Sequence, residues 1–115
     1  MPKHDSLLCI RQMLDFAREA NSLMQNRTRD DIEKDRMLQL SLLKLLEMVG
    51  EAASRISVND RQHFSQVPWD SIIGMRHRLI HGYDIVDYDI VWKTVNEDLP
   101  PLIILLEKII NQETM

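Results

Sequence analysis

The chain has 115 residues, a mass of 13.5 kDa and a formal net charge of −4; that length is expected to form one domain, residues 1–115, with room for a core but not for two. Its 44% apolar and 28% charged residues exclude a disordered chain, and only 3 glycines and 4 prolines argue for helices over a turn-rich β-sandwich. The acidic balance excludes polyanion binding by the whole surface, so any nucleic-acid contact must come from a local basic patch.

The opening residues Met1-Pro2-Lys3-His4-Asp5-Ser6 lack the long apolar core of a secretory leader, and no apolar run is long enough to span a bilayer. A cytoplasmic protein with no membrane partner is therefore expected. A first helix is predicted from Asp5 or Ser6 to about Gln25, with Ile10, Met13, Leu14, Ala17 and Met24 recurring at helical spacing as one apolar stripe. Cys9, the single cysteine, lies within this pattern and reads as a packed thiol in a reducing compartment. The polar run Asn26 to Asp31 is a connection, with Asp30 or Asp31 as the expected cap of the next helix.

That second helix is predicted from about Ile32 to Ile56. Leu38, Leu42, Leu45, Leu46, Val49, Ala52, Ala53 and Ile56 form a broad face, which Leu40, Leu43 and Met48 extend, so the helix should be central and packed on several sides. Gly50 in mid-helix costs about 1 kcal/mol relative to alanine, which predicts a close approach by another backbone. Lys44, Glu47 and Glu51 make up the narrow polar sector. Like charges at a spacing of four usually mark an exposed strip, although one of the glutamates could anchor an arginine of the following helix.

Ser57 to Pro68 reads as a polar connection with at most a short helical turn. A third helix is predicted from Trp69 through Ile80, stopped by Gly82. Asp84 to Tyr88 is an expected loop, and Asp87 an expected cap for a fourth helix from about Tyr88 to Asn111. Pro100-Pro101 should kink it, since each proline lacks a backbone donor and crowds the preceding turn. Beyond the kink, Leu102, Ile103, Leu105, Leu106, Ile109 and Ile110, with Ile104 almost opposite, present more apolar surface than one face of a small bundle requires, which predicts a partner surface. The fold class is all-α, an up-and-down bundle of four main helices with the last one kinked.

The local patch exists. Arg61, His63, Arg76, His77, Arg78 and His81 gather in the third quarter of the chain. Arginine offers a permanent cation with a fork of donors suited to phosphate, and histidine moves protons near neutral pH. Arg76 and His81 together are the minimum equipment for cutting RNA without a metal: the ribose 2′-hydroxyl attacks phosphorus, His81 transfers the proton and Arg76 stabilises charge on the phosphoryl oxygens. On a regular helix, however, residues five apart diverge by about 140°. Either helix unwinding at Gly82 or a second copy of the chain about a two-fold axis would be needed to complete a cleft. Surface cations at a helix C-terminus are the plain alternative. His77 and His81 share a helical face at a metal-ligand spacing, and Glu47, Glu51 or Asp84 could supply the carboxylate needed to complete a site, but no cysteine or third nearby histidine supports a metal. His4 and His63 read as solvated, Trp69 and Trp92 as core or interface residues, and composition alone leaves Tyr83 without a role.

Arg76 to Tyr83 fits the Arg-x4-His-x-Tyr pattern of HEPN domains, and the chain resembles their HepT-like branch. Gly50-Glu51-Ala52, Pro68-Trp69, Gly74-Met75-Arg76, and Trp92 followed by Asp98-Leu99-Pro100-Pro101-Leu102 carry the likeness over nearly the whole length. The resemblance implies a homodimeric HEPN-like bundle with two motifs in a shared cleft, acting as a metal-independent RNase without a cofactor. It further implies the toxin of a type VII toxin–antitoxin pair, silenced when a minimal nucleotidyltransferase antitoxin attaches AMP units to the motif tyrosine. Carried over, Arg76 and His81 become catalytic, Tyr83 the modification site, and His77, Arg78 and Glu51 supporting or RNA-binding residues. The position after the arginine is usually polar and often asparagine in the family, so His77 fits only loosely. A non-catalytic subunit that delivers a substrate or nucleotide to a nucleotidyltransferase is the alternative of a different class, and a plain helical adaptor a third.

Overall fold

The structure is a computed structural model that describes residues 4–81 and 85–114; Gly82, Tyr83 and Asp84 lie outside the described residues, as does the side chain of His4. Helix α1 (His4–Leu23) buries the predicted stripe, with Ile10, Met13 and Ala17 fully inaccessible, and packs on α3 and α8. Cys9 is half-buried against the same core.

The predicted second helix is two helices. Helix α2 (Arg29–Lys34) starts earlier than expected, and its cap is Thr28 rather than Asp30 or Asp31. The Thr28 hydroxyl accepts the Asp31 N–H while the Asp31 carboxylate accepts the Thr28 N–H at 2.8 Å, a reciprocal box in which the aspartate is the third residue and not the first. Asp35 then turns extended (φ −100°, ψ 100°) and its side chain accepts the Leu38 N–H at 3.1 Å, which ends one helix and starts α3 (Arg36–Ser54). The broad face of α3 is buried as predicted. Leu40 is the exception at 49% exposed, so the apolar sector is narrower than the sequence suggested. Gly50 meets another backbone as expected: a Cβ there would sit 2.9 Å from the Ile72 carbonyl oxygen.

The polar connection contains α4 (Val58–His63), capped by Ser57. Trp69 is buried and its indole N–H reaches the carbonyls of Arg61 and Phe64 at 2.9 and 3.0 Å, a core role. The predicted third helix is broken at Gly74 into α5 (Trp69–Ile73) and α6 (Met75–Leu79). It also stops before Gly82, the residue expected to end it. Ile80 already has extended torsions (φ −126°, ψ 119°) and begins strand β1 (Ile80–His81). Strand β1 pairs antiparallel with β2 (Ile85–Val86), Ile80 opposite Val86 and His81 opposite Ile85, where the end of a helix and a loop had been expected. Ile80 and Val86 bury one side of this ribbon against the core, so packing overrides helical continuation.

Asp87 caps α7 (Tyr88–Lys93) as predicted. The Tyr88 hydroxyl accepts from the buried Gln39 amide at 3.2 Å, and Gln39 also donates to the Ile32 carbonyl, which ties the start of α7 to α2 and α3. Before the prolines the chain widens into a π-helical turn, Thr94–Asp98, closed by the Leu99 N–H on the Thr94 carbonyl, and α8 (Leu99–Glu113) follows with proline in its first positions. Prolines tolerated at a helix start would clash in its interior, so the interruption falls where the sequence placed it. Leu102, Leu106, Ile109 and Ile110 are buried within this chain, Ile103 and Leu105 are half-buried, and Ile104 is 54% exposed. Part of the arc predicted for a partner is thus spent on the core, and Ile103, Ile104 and Leu105 keep apolar surface open. Among the described residues the architecture is an all-α bundle with one ribbon of two two-residue strands.

Candidate functional site

Three consecutive residues of the short helix α6, Arg76, His77 and Arg78, expose their side chains because Met75 and Leu79 on either side are buried and hold the turn down. Arg76 is oriented by α3: its guanidinium lies 3.4 Å from the Glu47 carboxylate. With Arg76 56% and Glu47 38% exposed, such a pair contributes about 0–1 kcal/mol and serves mainly to aim the arginine. Glu47, Glu51, Gly50, Ser54 and Arg76 line one shallow groove between α3 and α6. Of the two glutamates, Glu47 is the anchor. Glu51 is on the same groove but pairs with Arg55 at 3.0 Å.

His81 is not on a helix. It stands on β1, 56% exposed, with Nε2 at 2.9 Å from Oδ2 of Asp87. The 140° divergence expected of a regular helix therefore does not apply, and His77 and His81 no longer share a helical face. Asp87 is fixed from three sides: Oδ2 meets His81, Oδ1 accepts the Ile90 N–H at 3.1 Å, and its own N–H donates to the Leu79 carbonyl at 2.8 Å. The His81 imidazole first, and the Ile90 N–H second, hold the Asp87 carboxyl below the usual carboxylate range. Sequence reasoning found Asp87 as a helix cap and missed its contact with His81, because the ribbon that folds the two together was not foreseen.

Among the described residues no hydrogen bond or ion pair joins Arg76 to His81; each faces its own carboxylate. Arg78 points elsewhere, donating to the Ser71 carbonyl at 3.2 Å and lining an apolar cleft with Met75, Lys93, Leu99 and Leu102. His77 is exposed. Arg61 and His63 of the predicted patch serve the scaffold, Arg61 on the Ser54 carbonyl and His63 edge-on to Phe64 and 3.6 Å from Glu113. Tyr83 lies outside the described residues. No group of three histidine, cysteine or acidic side chains that could hold a metal occurs among the described residues. What the site offers is a phosphate-sized cation and an exposed imidazole backed by a carboxylate, a set able to bind a phosphodiester and move a proton.

The chain is similar to "Probable ribonuclease HepT" of Thermococcus cleftensis, 36% identical over 88 residues that cover 73% of this chain and 80% of that protein. It is 30% identical over 102 residues to "Putative RNase MJ1380" of Methanocaldococcus jannaschii, covering 89% of this chain and 94% of the relative. A relative from Caldanaerobacter subterraneus, "Putative RNase TTE0752", is 37% identical over 84 residues, 73% of this chain and 75% of its own. No solved structure matches. The family model described as "Ribonuclease HepT-like" matches residues 13–109. The chain belongs to the HepT-like ribonuclease family.

Proposed function

We propose that this chain cleaves RNA by intramolecular transphosphorylation, with Arg76 and His81 as its catalytic residues. His81 takes the proton of a ribose 2′-hydroxyl as that oxygen bonds to the adjacent phosphorus. The bond from phosphorus to the 5′-oxygen breaks, that oxygen gains a proton from an imidazolium, and the products are a 2′,3′-cyclic phosphate and a 5′-hydroxyl. Arg76 binds the non-bridging oxygens, where charge builds up. The observation that carries this reading is the exposed His81 imidazole held on a carboxylate two residues beyond the helix that bears Arg76.

The cleft is completed by a second copy of the chain. Each motif side chain leaves more than half its surface open, and a two-fold pairing supplies one imidazole as base and another as acid. His77 and Glu51 flank the site and contact RNA or order its neighbours, while Arg78, turned towards the Ser71 carbonyl, meets RNA outside the cleft. The biological role is that of a toxin. Its antitoxin is a minimal nucleotidyltransferase that adds AMP to Tyr83, placing bulk and negative charge where the RNA phosphates would lie.

Purified Arg76→Ala and His81→Ala proteins should each lose about 10²- to 10⁴-fold in RNA cleavage while melting like the parent. Parental rates in both variants would refute the catalytic assignment. Tyr83→Phe should still cut RNA and resist silencing, and an adenylate located by mass spectrometry on another residue would refute that part.

A further inference from the structure

We propose that Asp87 is the positioning residue for His81: its carboxylate receives the Nε2–H of the imidazole, fixes that tautomer, and leaves Nδ1 as the nitrogen that exchanges protons with RNA. This rests on the reading of His81 as the proton-transferring group.

The geometry carries it. A carboxylate can only accept, so the 2.9 Å contact between Oδ2 and Nε2 requires the hydrogen to sit on Nε2. The carboxylate cannot swing to follow another partner, because Oδ1 is committed to the Ile90 N–H and the Asp87 backbone to the Leu79 carbonyl. The Asp87 side chain is 27% exposed against 56% for His81, so the fixed partner is the sheltered one and the imidazole the open one. Capping α7 would be served as well by serine or asparagine; only a carboxylate also stabilises the imidazolium that forms when His81 takes a proton. The two oxygens of one side chain therefore divide the work, one starting α7 and the other holding the imidazole. Tyr83, the residue proposed for modification, falls in sequence between the two members of the pair.

Asp87→Asn tests this, because asparagine keeps the cap and removes the charge. Cleavage of a fluorophore-labelled mixed-sequence RNA oligonucleotide should show kcat lowered about 10²- to 10⁴-fold with KM within about twofold of the parent. A parental kcat in Asp87→Asn overturns the proposal. A second measurement needs no variant: ¹⁵N NMR of the His81 ring in the parent, at a pH where it is neutral, should show a protonated Nε2 and a bare Nδ1. A ring protonated on Nδ1 overturns the proposal whatever the variant does. His81→Ala separates the two claims. If it is inactive while Asp87→Asn is fully active, only the role of Asp87 falls; if His81→Ala itself cleaves like the parent, the catalytic reading falls first.

Discussion

At the scale of single residues, Gly50 shows how directly a side chain, or its lack, is set by a neighbour. The Ile72 carbonyl occupies the space a Cβ would need, at 2.9 Å, and that atom is backbone rather than a side chain that could give way. Gly50→Ala should therefore lower stability by about 1–3 kcal/mol in denaturant unfolding, despite alanine's better helix propensity of about 1 kcal/mol. A more stable variant would show that α3 and α5 can part at no cost. The same close approach keeps Glu47 within reach of Arg76, so loosened packing should also reduce activity. Gly50 was legible in the sequence because a glycine inside a strongly apolar helix weakens it unless a neighbouring backbone needs the space. Arg76 and His81 were legible as a pattern, and Glu47 as one of two alternatives. The bond from Asp87 to His81 was not, because nothing local announces which residues a two-residue ribbon will place side by side.

At the scale of elements, the sequence conveyed periodicity well and interruptions poorly. The stripe of α1 and the broad face of α3 are buried as their spacing demanded. The breaks at Asp35 and Gly74 were missed because apolar spacing continues through both, while the first is made by the cap of one side chain, Asp35, and the second by backbone at a glycine with no side-chain cap. The proline pair was read correctly as an interruption, since the missing donors are a property of the residue itself. The caps also predict the acid response. Asp31, Asp35 and Asp87 are all held below the usual carboxylate value, by the Thr28 N–H, the Leu38 N–H and the His81 imidazole respectively as first causes. Groups depressed in the folded state stabilise it fully above their unfolded pKa of about 4, and that contribution is lost as pH falls through their lower folded values. Melting temperature should thus start to fall below about pH 4 as these carboxylates take up protons. Asp35→Asn, which keeps a cap but loses its response to protons, should melt with a shallower pH dependence there. An identical slope in the two proteins would show that the cap of α3 does not contribute.

At the scale of the whole molecule, α3 lies at the centre of the bundle and presents Glu47 to the motif helix, while the ribbon and α7 present Asp87 to His81 from another direction. Among the described residues no helix is long and apolar enough to cross a membrane. The proposed dimer predicts that specific cleavage activity falls on dilution in parallel with dissociation measured by analytical ultracentrifugation; constant activity per chain across that transition would place a complete site in one copy. The apolar arc of α8, read from sequence as a partner surface, is buried at Leu102, Leu106, Ile109 and Ile110 and open in part at Ile103, Ile104 and Leu105. The proposed shared cleft requires the two copies to meet near the exposed motif. The most direct measurement of the central claim is sequencing of RNA ends after brief expression of the parent beside His81→Ala. The parent should generate new 2′,3′-cyclic phosphate ends that are missing with His81→Ala, and the same ends in both would contradict cleavage by this site.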